Sequence, residues 1–326
     1  MRAAFIERHG GNEVVQVGTQ PVPSLRPDQV LIRVHASCVN PRDWLLRDGR
    51  YVFRHFVRGF PIILGSDVSG VIAATGPLVR DLHVGDAVVA MQTTLGQMGA
   101  YAQYMAVAAR AVGRKPLLAD HEHASGLGVA GLTALQALRD DGRLRPGERV
   151  AILGASGGVG HYAVQIAKYL GAGRVVGVCS AANEAFVREL GADATLDYRS
   201  GDVVAALADA GGVDLVFDAI GKGDLRRHRP CLRPGGRYVT TVPTAKNTED
   251  QLRSLVGRAL GRDAPVARTV LVRPTRRDLE QLAAMMDMGE LRTVVDSVHE
   301  LDAVTDALAR SRTQRARGKI IIRIPT

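Results

Sequence analysis

Cysteine is scarce in this 326-residue sequence, and the three that occur, Cys38, Cys179 and Cys231, lie far apart with no CxxC or CxxH spacing. This pattern argues against a disulfide framework and against a structural zinc site. No apolar run approaches membrane-spanning length, and the first residues include an acidic side chain and no long apolar core. We therefore expect a soluble cytoplasmic protein with reduced, buried cysteines.

The charge balance is one-sided, with a formal net charge of +9 at pH 7 that is carried almost wholly by arginine. Such a surface attracts anions. For a chain with a nucleotide site, the first candidates are a phosphorylated cofactor and an electron-rich acceptor, and nucleic acid comes second. No aromatic-rich basic platform accompanies the arginines, which argues against nucleic acid as a partner.

One stretch carries most of the functional information: an apolar segment at 149–153 runs into a glycine-rich turn and then into an amphipathic segment at 161–170. A strand that turns on glycines into a helix N-terminus suits a diphosphate, because free backbone N–H groups and the helix dipole both point at it. A second apolar segment at 174–178 completes a βαβ unit. Gly157 would let the main chain approach the diphosphate, and Gly160 would let the helix pack against the strand. The predicted cofactor-binding turn consists of Ala155, Ser156, Gly157, Gly158, Val159 and Gly160.

The residues after the second strand favour NADPH over NADH. Folds that bind NAD commonly place an acidic residue there to accept hydrogen bonds from the ribose hydroxyls. Here Cys179 is followed by Ser180 and Asn183, whose side chains can donate hydrogen bonds to a 2′-phosphate. Tyr198 and Arg199, after the next predicted strand, would add a phenol and a bidentate guanidinium. The alternative for Arg199 is a solvated loop cation.

The periodicity of the sequence changes along the chain. Up to residue 120, short apolar or alternating segments are separated by glycine, proline and aspartate, which is typical of a compact β-rich domain. From residue 121, helical patterns and apolar strands alternate, which predicts a parallel sheet covered by helices. The predicted strands are 30–34, 68–74, 87–91, 101–107, 149–153, 174–178, 214–219, 237–242, 267–272 and 319–324. The predicted helices are 124–140, 161–170, 248–260, 275–288 with Thr275 as N-cap, and 301–310.

Several short motifs, in order and almost from end to end, are similar to one family. They are VNPRD at 39–43 with Arg47, Gly49 and Tyr51, GSDVSG at 65–70, GAYA at 99–102, GLTA at 131–134, ASGGVG at 155–160, LGAD at 190–193 and GKI at 318–320. In these motifs the chain resembles the zinc-free quinone oxidoreductase branch of the medium-chain dehydrogenase/reductase superfamily.

The resemblance implies an α/β fold of three parts. A GroES-like β-rich domain would span 1–122, and a Rossmann domain with a doubly wound parallel sheet and bound NADPH would span 123–290. A C-terminal segment, 291–326, would pack back on the first domain. The resemblance further implies a homodimer joined through the Rossmann sheet.

The resemblance also assigns roles to single residues. Asn40 would lie near the nicotinamide ribose, Thr133 near the carboxamide and Tyr51 at the mouth of the substrate pocket, and these three are the candidate catalytic residues. Lys319 matches the cofactor-side lysine of the family. The residues alone leave alternatives: a turn residue at Asn40, core packing at Tyr51 and a solvated strand-end cation at Lys319. The remaining expected cofactor contacts are Ala219, Thr241 and Val242.

The zinc-dependent relatives carry a cysteine where Asn40 stands, a histidine where Ser66 stands, and a four-cysteine lobe. Because zinc needs three or four converging ligands, we expect no metal. Without a Lewis acid to polarise a ketone, the acceptor must spread the incoming charge itself, as quinones and α,β-unsaturated carbonyls do. The sequence thus predicts an NADPH-dependent, zinc-independent reductase of quinones or activated alkenes.

Two other functions stay open. A dedicated enoyl reductase of a biosynthetic pathway would share the fold and cofactor, and would differ in the pocket loops at 50–60 and 93–99. A nucleic-acid-binding or NADPH-sensing protein on the same fold is the alternative of another class. The candidate apolar lining of the pocket consists of Trp44, Phe53, Phe56, Phe60, Leu95 and Met98.

Other polar residues are assigned structural roles. We expect Asp43, Arg47 and Asp67 to form a charge network. His121 and His123 are not expected to bind a metal, because side chains at i and i+2 of a helix start point apart.

Overall fold

The computed structural model describes residues 1–57, 59–92, 99–259 and 265–325. Its strands are β1 (Arg2–Ile6), β2 (Val15–Thr19), β3 (Gln29–Cys38), β4 (Ile62–Ile63), β5 (Asp67–Thr75), β6 (Ala87–Met91), β7 (Tyr104–Ala108), β8 (Val112–Arg114), β9 (Arg149–Leu153), β10 (Arg174–Cys179), β11 (Ala194–Asp197), β12 (Val213–Asp218), β13 (Leu232–Thr240), β14 (Val266–Thr269), β15 (Val295–Glu300) and β16 (Lys319–Arg323).

The α-helices are α1 (Pro41–Arg47), α2 (His121–Ser125), α3 (Leu132–Gln136), α4 (Gly160–Tyr169), α5 (Glu184–Glu189), α6 (Val203–Asp209), α7 (Leu225–His228), α8 (Ala245–Ala259), α9 (Arg276–Asp287) and α10 (Val304–Arg312). Two π-helical turns, Leu127–Gly131 and Ala137–Asp141, flank α3. Single 3₁₀ turns occur at Asn12–Val14, Arg54–Phe56, Ala109–Ala111, Ala181–Asn183, Arg229–Cys231 and Leu301–Ala303.

The first of two compact units comprises Met1–Leu132 and Val272–Thr326. It contains a sheet in the order β2-β1-β4 and a larger sheet in the order β15-β16-β3-β5-β6-β8, with β7 also paired to β3. Alternate residues of β3 turn inward, which fully buries Val30, Ile32 and Val34. Strand β16 pairs antiparallel with β3. The C-terminal strand therefore lies beside the strand that leads into Asn40.

The second unit, Thr133–Leu271, contains one sheet in the order β11-β10-β9-β12-β13-β14, and the paired strands are parallel. Numbered within the unit, this order is 3-2-1-4-5-6, which is that of the Rossmann fold. All residues of β9 except the first are buried, as expected for a central parallel strand that is covered on both faces. The predicted α/β fold with a Rossmann parallel sheet is confirmed.

The limits of the units differ from the boundaries at 122/123 and 290/291 that the sequence suggested. Helix α2 packs on β3 and β5, and α9 packs on β8, so both helices belong to the first unit. The approach of α9 is close, since a Cβ on Gly113 would lie 2.7 Å from the Leu279 Cβ.

Most predicted elements occur with shifted ends. The helical pattern at 124–140 is divided by the two π-helical turns. The strand predicted from residue 101 begins at Tyr104, because the backbone of Tyr101 bonds instead to Leu64 and Ala4. Thr275 caps α9 as predicted, and its side chain accepts from the Asp278 N–H. All three cysteines are free and buried, also as predicted.

In the described ranges, we find no helix that combines the length and the apolar character needed to cross a membrane.

Candidate active site

Strand β3 delivers Asn40 to the start of α1. Pro41 fills the first helical position, where a missing N–H costs nothing. The Asp43 carboxylate accepts a hydrogen bond of 2.8 Å from the Asn40 backbone N–H, as in a capping box. The side chain of Asn40 is thereby held at the helix entrance, where it is 3% exposed.

The Asn40 amide lies between an ammonium group and a carboxylate. Lys319 Nζ donates to Asn40 Oδ1 at 2.8 Å, and Asn40 Nδ2 donates to Asp67 Oδ2 at 2.8 Å. Because an ammonium only donates and an ionised carboxylate only accepts, the two partners fix the orientation of the amide. The second Nδ2 hydrogen faces the backbone carbonyl of Cys38 at 3.4 Å. Protein acceptors therefore take both amide hydrogens, while Oδ1 retains one acceptor position.

Asp67 anchors the far side of this arrangement. Its carboxylate also accepts from Cys38 Sγ at 3.0 Å and from the Val129 N–H at 2.7 Å. A Cβ on Gly128 would lie 2.3 Å from Asp67 Oδ1, so this close approach requires glycine. Burial, together with the charge of Asp67, raises the pKa of the Cys38 thiol well above its usual value. Cys38 is thus a protonated donor to Asp67.

Asp43 is the second buried carboxylate of the site. It accepts from the Tyr101 hydroxyl at 2.7 Å and from Ser66 Oγ at 3.5 Å. Burial raises the pKa of Asp43 to about 6, although the hydrogen bonds from Asn40 and Tyr101 act to lower it. We call the following residues, each at most 3% exposed, the polar cluster: Cys38, Asn40, Asp43, Ser66, Asp67, Tyr101 and Lys319.

The structure rules out the solvated alternative for Lys319, which is 2% exposed. It also corrects the expected charge network, since Asp43 and Asp67 belong to the polar cluster whereas Arg47 pairs with other residues. The Arg47 guanidinium donates to Asp48 Oδ1 at 2.6 Å and to Asn12.

Tyr51 is buried close to the polar cluster. Its ring meets Phe53 edge to face at 5.8 Å between centroids, and the Arg42 guanidinium carbon lies 5.4 Å from its centroid. Burial raises the pKa of Tyr51, with Arg42 opposing and Asp43 adding to the effect. The phenol is therefore protonated at neutral pH and can donate a hydrogen bond.

The aromatic candidates for a pocket lining differ in exposure. Trp44 is buried, and its indole N–H donates to Ser311 Oγ at 3.3 Å, so it is a core residue. Phe56 and Phe60 are 57% and 47% exposed. Two further candidates lie outside the described residues: Leu95 and Met98.

The two histidines at the start of α2, His121 and His123, make structural contacts. His121 Nδ1 lies 2.7 Å from Ser69 Oγ, and its ring stacks on that of His35 at 4.5 Å. His123 pairs with Asp120, the N-cap of α2. Across the described residues, no group of three or more histidine, cysteine or acidic side chains has the geometry to hold a metal ion.

The polar cluster contains a thiol and two carboxylates, but these are held in internal hydrogen bonds, and within the described residues they do not form a group that could hold a metal ion. At the two positions where zinc-dependent relatives carry cysteine and histidine, this chain has an amide, Asn40, and a hydroxyl, Ser66. The ammonium of Lys319 bonds to the Asn40 oxygen, and a second cation at that oxygen would be repelled. The residues present therefore do not fit zinc.

The second unit carries the glycine turn, between β9 and α4. Gly154 and Ala155 donate their N–H groups to the Val178 carbonyl, which ties the turn to β10. A Cβ on Gly160 would lie 2.0 Å from the Gly154 carbonyl oxygen, so the close approach of helix and strand needs glycine here. A Cβ on Gly157 would meet only this oxygen, at 3.4 Å. The space beside Gly157 is open, and a diphosphate fits the turn.

The residues predicted to select the coenzyme meet at one edge of the Rossmann sheet. Cys179 and Asp197, the last residues of β10 and β11, are register partners, and Ser180, Asn183, Tyr198 and Arg199 follow them. Asn183 Nδ2 donates to Ser156 Oγ at 3.1 Å, which joins this edge to the glycine turn. The Arg199 guanidinium lies over the Tyr198 ring at 5.4 Å, and Tyr198 is half exposed.

The loop after β12 adjoins the same turn. Ala219 donates its N–H to the Leu153 carbonyl, and Thr241 donates to the Asp218 carbonyl. A Cβ on Gly221 would lie 2.1 Å from the Val242 side chain. Ala219, Thr241 and Val242 thus lie at the carboxyl ends of β9, β12 and β13. Thr133 is buried in α3.

Sequence reasoning did not predict that Cys38, Ser66 and Tyr101 belong to the polar cluster. The i, i+3 spacing of Asn40 and Asp43 at a helix start is a capping-box pattern that could have placed Asp43. Nothing local predicts the contact between Lys319 and Asn40, which lie 279 residues apart in sequence.

Two family models and several known proteins match this chain. A family model described as alcohol dehydrogenase GroES-like domain matches residues 26–117, and one described as zinc-binding dehydrogenase matches 190–322. The chloroplast envelope quinone oxidoreductase homolog of Arabidopsis thaliana is 34% identical, over 99% of this chain and 98% of that protein.

Two further matches have similar coverage. The human mitochondrial NAD(P)H oxidoreductase RTN4IP1 is 32% identical over 99% of this chain and 89% of its own length. The solved quinone oxidoreductase of Coxiella burnetii is 28% identical, with a TM-score of 0.90 over 100% of this chain and 99% of that one.

Proposed function

Because this chain belongs to the quinone oxidoreductase-like proteins of the medium-chain dehydrogenase/reductase superfamily, we propose that it is an NADPH-dependent, zinc-independent reductase of quinones or α,β-unsaturated carbonyls. The observation that carries this proposal is the donor set of the polar cluster. At the two positions where the resemblance places zinc ligands in zinc-dependent relatives, this chain has the amide of Asn40 and the hydroxyl of Ser66, and the buried ammonium of Lys319 bonds to Asn40.

Without a metal, the acceptor itself must stabilise the charge that arrives with the hydride. A quinone or an enone delocalises this charge onto oxygen, and hydrogen-bond donors then suffice. A simple ketone lacks this delocalisation and needs a Lewis acid. We therefore assign conjugated acceptors and not saturated ketones as substrates.

Bound NADPH supplies the hydride for this chemistry. In the proposal, the backbone of residues 155–160 holds the diphosphate, with Ala219, Thr241 and Val242 as neighbours. Ser180, Asn183, Tyr198 and Arg199 receive the 2′-phosphate. This choice of coenzyme is supported by the hydroxyl, amide and guanidinium at the carboxyl ends of β10 and β11, and by the neutral Ser180 directly after β10.

Three residues are proposed to serve the reacting groups. Since protein acceptors take both amide hydrogens of Asn40, we assign it an accepting role through Oδ1, toward a ribose hydroxyl. Tyr51, with its protonated phenol, is the candidate donor to the acceptor's oxygen. Thr133 is the candidate contact to the nicotinamide carboxamide.

The homodimer through the Rossmann sheet is likewise a proposal. Within the described residues, β14 pairs on one side with β13 and forms the edge of the sheet. An exposed strand edge can pair with a second copy. Light scattering on the purified protein tests this, and a monomer at micromolar concentration would contradict it.

The enzymatic proposal is tested by mixing purified protein with NADPH or NADH and a panel of quinones, enones and saturated ketones. We expect oxidation of NADPH by quinones or enones, slower oxidation of NADH and none with the ketones. A metal chelator should leave the rate unchanged. The proposal would be refuted if none of the quinones and enones oxidised NADPH, or if the chelator abolished turnover.

A further inference from the structure

Lys319 is in an unusual place for a lysine. It is the first residue of β16, follows Gly318 in a turn, and is 2% exposed. Lysine side chains are almost never fully buried unless they are paired. Its ammonium donates to Asn40 Oδ1 at 2.8 Å and to the Val39 carbonyl at 3.3 Å.

The charges around Lys319 keep its side chain protonated. Burial acts to lower the pKa of Lys319, but the nearby carboxylates of Asp67 and Asp43 oppose it, and the pKa is raised overall. The polar cluster contains two fully buried carboxylates, Asp43 and Asp67, and Lys319 is its one cation. Removal of this cation would leave buried negative charge uncompensated.

The Asn40 amide depends on this ammonium for its orientation. Asp67 and the Cys38 carbonyl accept from Nδ2 on one side, and Lys319 donates to Oδ1 on the other. With Lys319 in place, the amide has one favourable orientation, and the free acceptor position of Oδ1 has one direction. Without the ammonium, Oδ1 loses its charge-assisted hydrogen bond, and only the bonds to Nδ2 restrain the direction in which Oδ1 accepts.

We propose that Lys319 is a positioning residue that acts through Asn40, by fixing the direction in which the Asn40 carbonyl oxygen accepts a hydrogen bond, and not by contacting the cofactor itself. This inference deepens the proposed function and rests on it. It replaces the direct cofactor contact expected for Lys319 with an indirect one, because the short contact of the ammonium, at 2.8 Å, is to the Asn40 side chain, and its longer contact, at 3.3 Å, is to the neighbouring Val39 carbonyl.

A double-mutant cycle of Lys319→Met and Asn40→Ala tests whether Lys319 acts through Asn40. A hydrogen bond to a charged group has a strength that corresponds to about a ten- to hundredfold change in rate. We expect Lys319→Met to lower kcat/KM by about this factor in the wild-type background, and by less than about twofold in the Asn40→Ala background. Dissociation constants for NADPH, measured by fluorescence, should show the same non-additivity. Equal factors in both backgrounds would overturn the proposal, because Lys319 would then act without Asn40.

Folding of the variants is checked by circular dichroism and thermal unfolding. If Lys319→Met does not fold, Lys319→Arg replaces it in the cycle. The guanidinium keeps the charge, but it is larger and forked, and cannot reproduce a single ammonium contact in a buried space. Its effect should again depend on the presence of Asn40, and additivity would again overturn the proposal.

A structural readout separates this inference from the proposed function. The chain has four asparagines, so asparagine labelled with ¹⁵N gives four side-chain amide pairs, and Asn40→Ala identifies one of them. We expect this pair to shift and to exchange faster with solvent in Lys319→Met or Lys319→Arg. An unchanged pair would overturn the positioning role. Absence of NADPH turnover in the wild type would refute the proposed function but leave this readout intact.

Discussion

Substitutions at two glycines of the same turn are expected to affect different properties, cofactor binding in one case and stability in the other. Gly157→Ala adds a methyl group whose nearest neighbour would be the Gly154 oxygen at 3.4 Å, an ordinary contact. Gly160→Ala places its methyl 2.0 Å from that oxygen and 2.8 Å from the Ala155 Cα. Both neighbours are backbone atoms, which cannot move without shifting the turn. The two substitutions are chemically identical and three residues apart.

The expected magnitudes follow from these contacts. Gly160→Ala should lower the free energy of unfolding by about 1–3 kcal/mol, the usual cost of overpacking. Gly157→Ala should leave it within about 0.5 kcal/mol of wild type, as for a substitution away from strain. Its methyl would, however, occupy the space assigned to the diphosphate. We therefore expect the dissociation constant of NADPH to rise at least tenfold, about 1.4 kcal/mol.

Urea unfolding with and without NADPH measures both effects. At 100 times its dissociation constant, NADPH stabilises the wild type by about 2.7 kcal/mol, and a tenfold weaker variant retains about 1.4 kcal/mol. The reasoning is refuted if Gly157→Ala retains the full stabilisation by NADPH, or if Gly160→Ala unfolds at the wild-type urea concentration.

Three further predictions concern other parts of the chain. Burial, with His35 and Lys115 adding to it, lowers the pKa of His121 to about 4. The unfolded state then binds more protons than the folded state between pH 6.5 and 4. The contribution of neutral His121 to the free energy of unfolding is therefore fully present above pH 6.5 and is lost as the pH falls toward 4. The loss should be up to about 2 kcal/mol after discounting for partial exposure. His121→Asn should remove this part of the pH dependence, and an unchanged curve from urea titrations would contradict it. Thr275→Ala removes the N-cap of α9 and should cost about 1 kcal/mol in urea unfolding, whereas no loss would show that the cap is dispensable. Arg199→Glu should weaken binding of NADPH much more than of NADH, as measured by fluorescence titration, and an equal effect on both would remove Arg199 from the 2′-phosphate site.

The Rossmann unit could be predicted from local sequence because its signals are local. The apolar strand 149–153, the glycine turn and the following helix are adjacent in the chain, and so are the residues that end β10. The alternation of strands and helices then leaves few topologies. The ends of elements were less predictable, as at Tyr101, whose backbone partners belong to other segments.

The polar cluster could be predicted only in part because its contacts are long-range. Asn40 was identified through its motif, but its partners Asp67 and Lys319 are 27 and 279 residues away. A lysine that follows a glycine near the end of a chain has the same local pattern whether it is buried or solvated. Likewise, the stacking of His121 on His35 depends on the packing of α2 against β3, which no local pattern predicts.

The division of the first unit between two distant stretches of the chain has a consequence for biosynthesis. Residues 133–271 are contiguous, so the Rossmann unit can complete its sheet while the ribosome is still translating the rest. The first unit can complete its larger sheet only after β16 has been synthesised, because β16 pairs with β3 and carries the ammonium that contacts the Asn40 amide. A nascent chain that has not yet reached Lys319 lacks the ammonium that contacts Asn40 in the polar cluster.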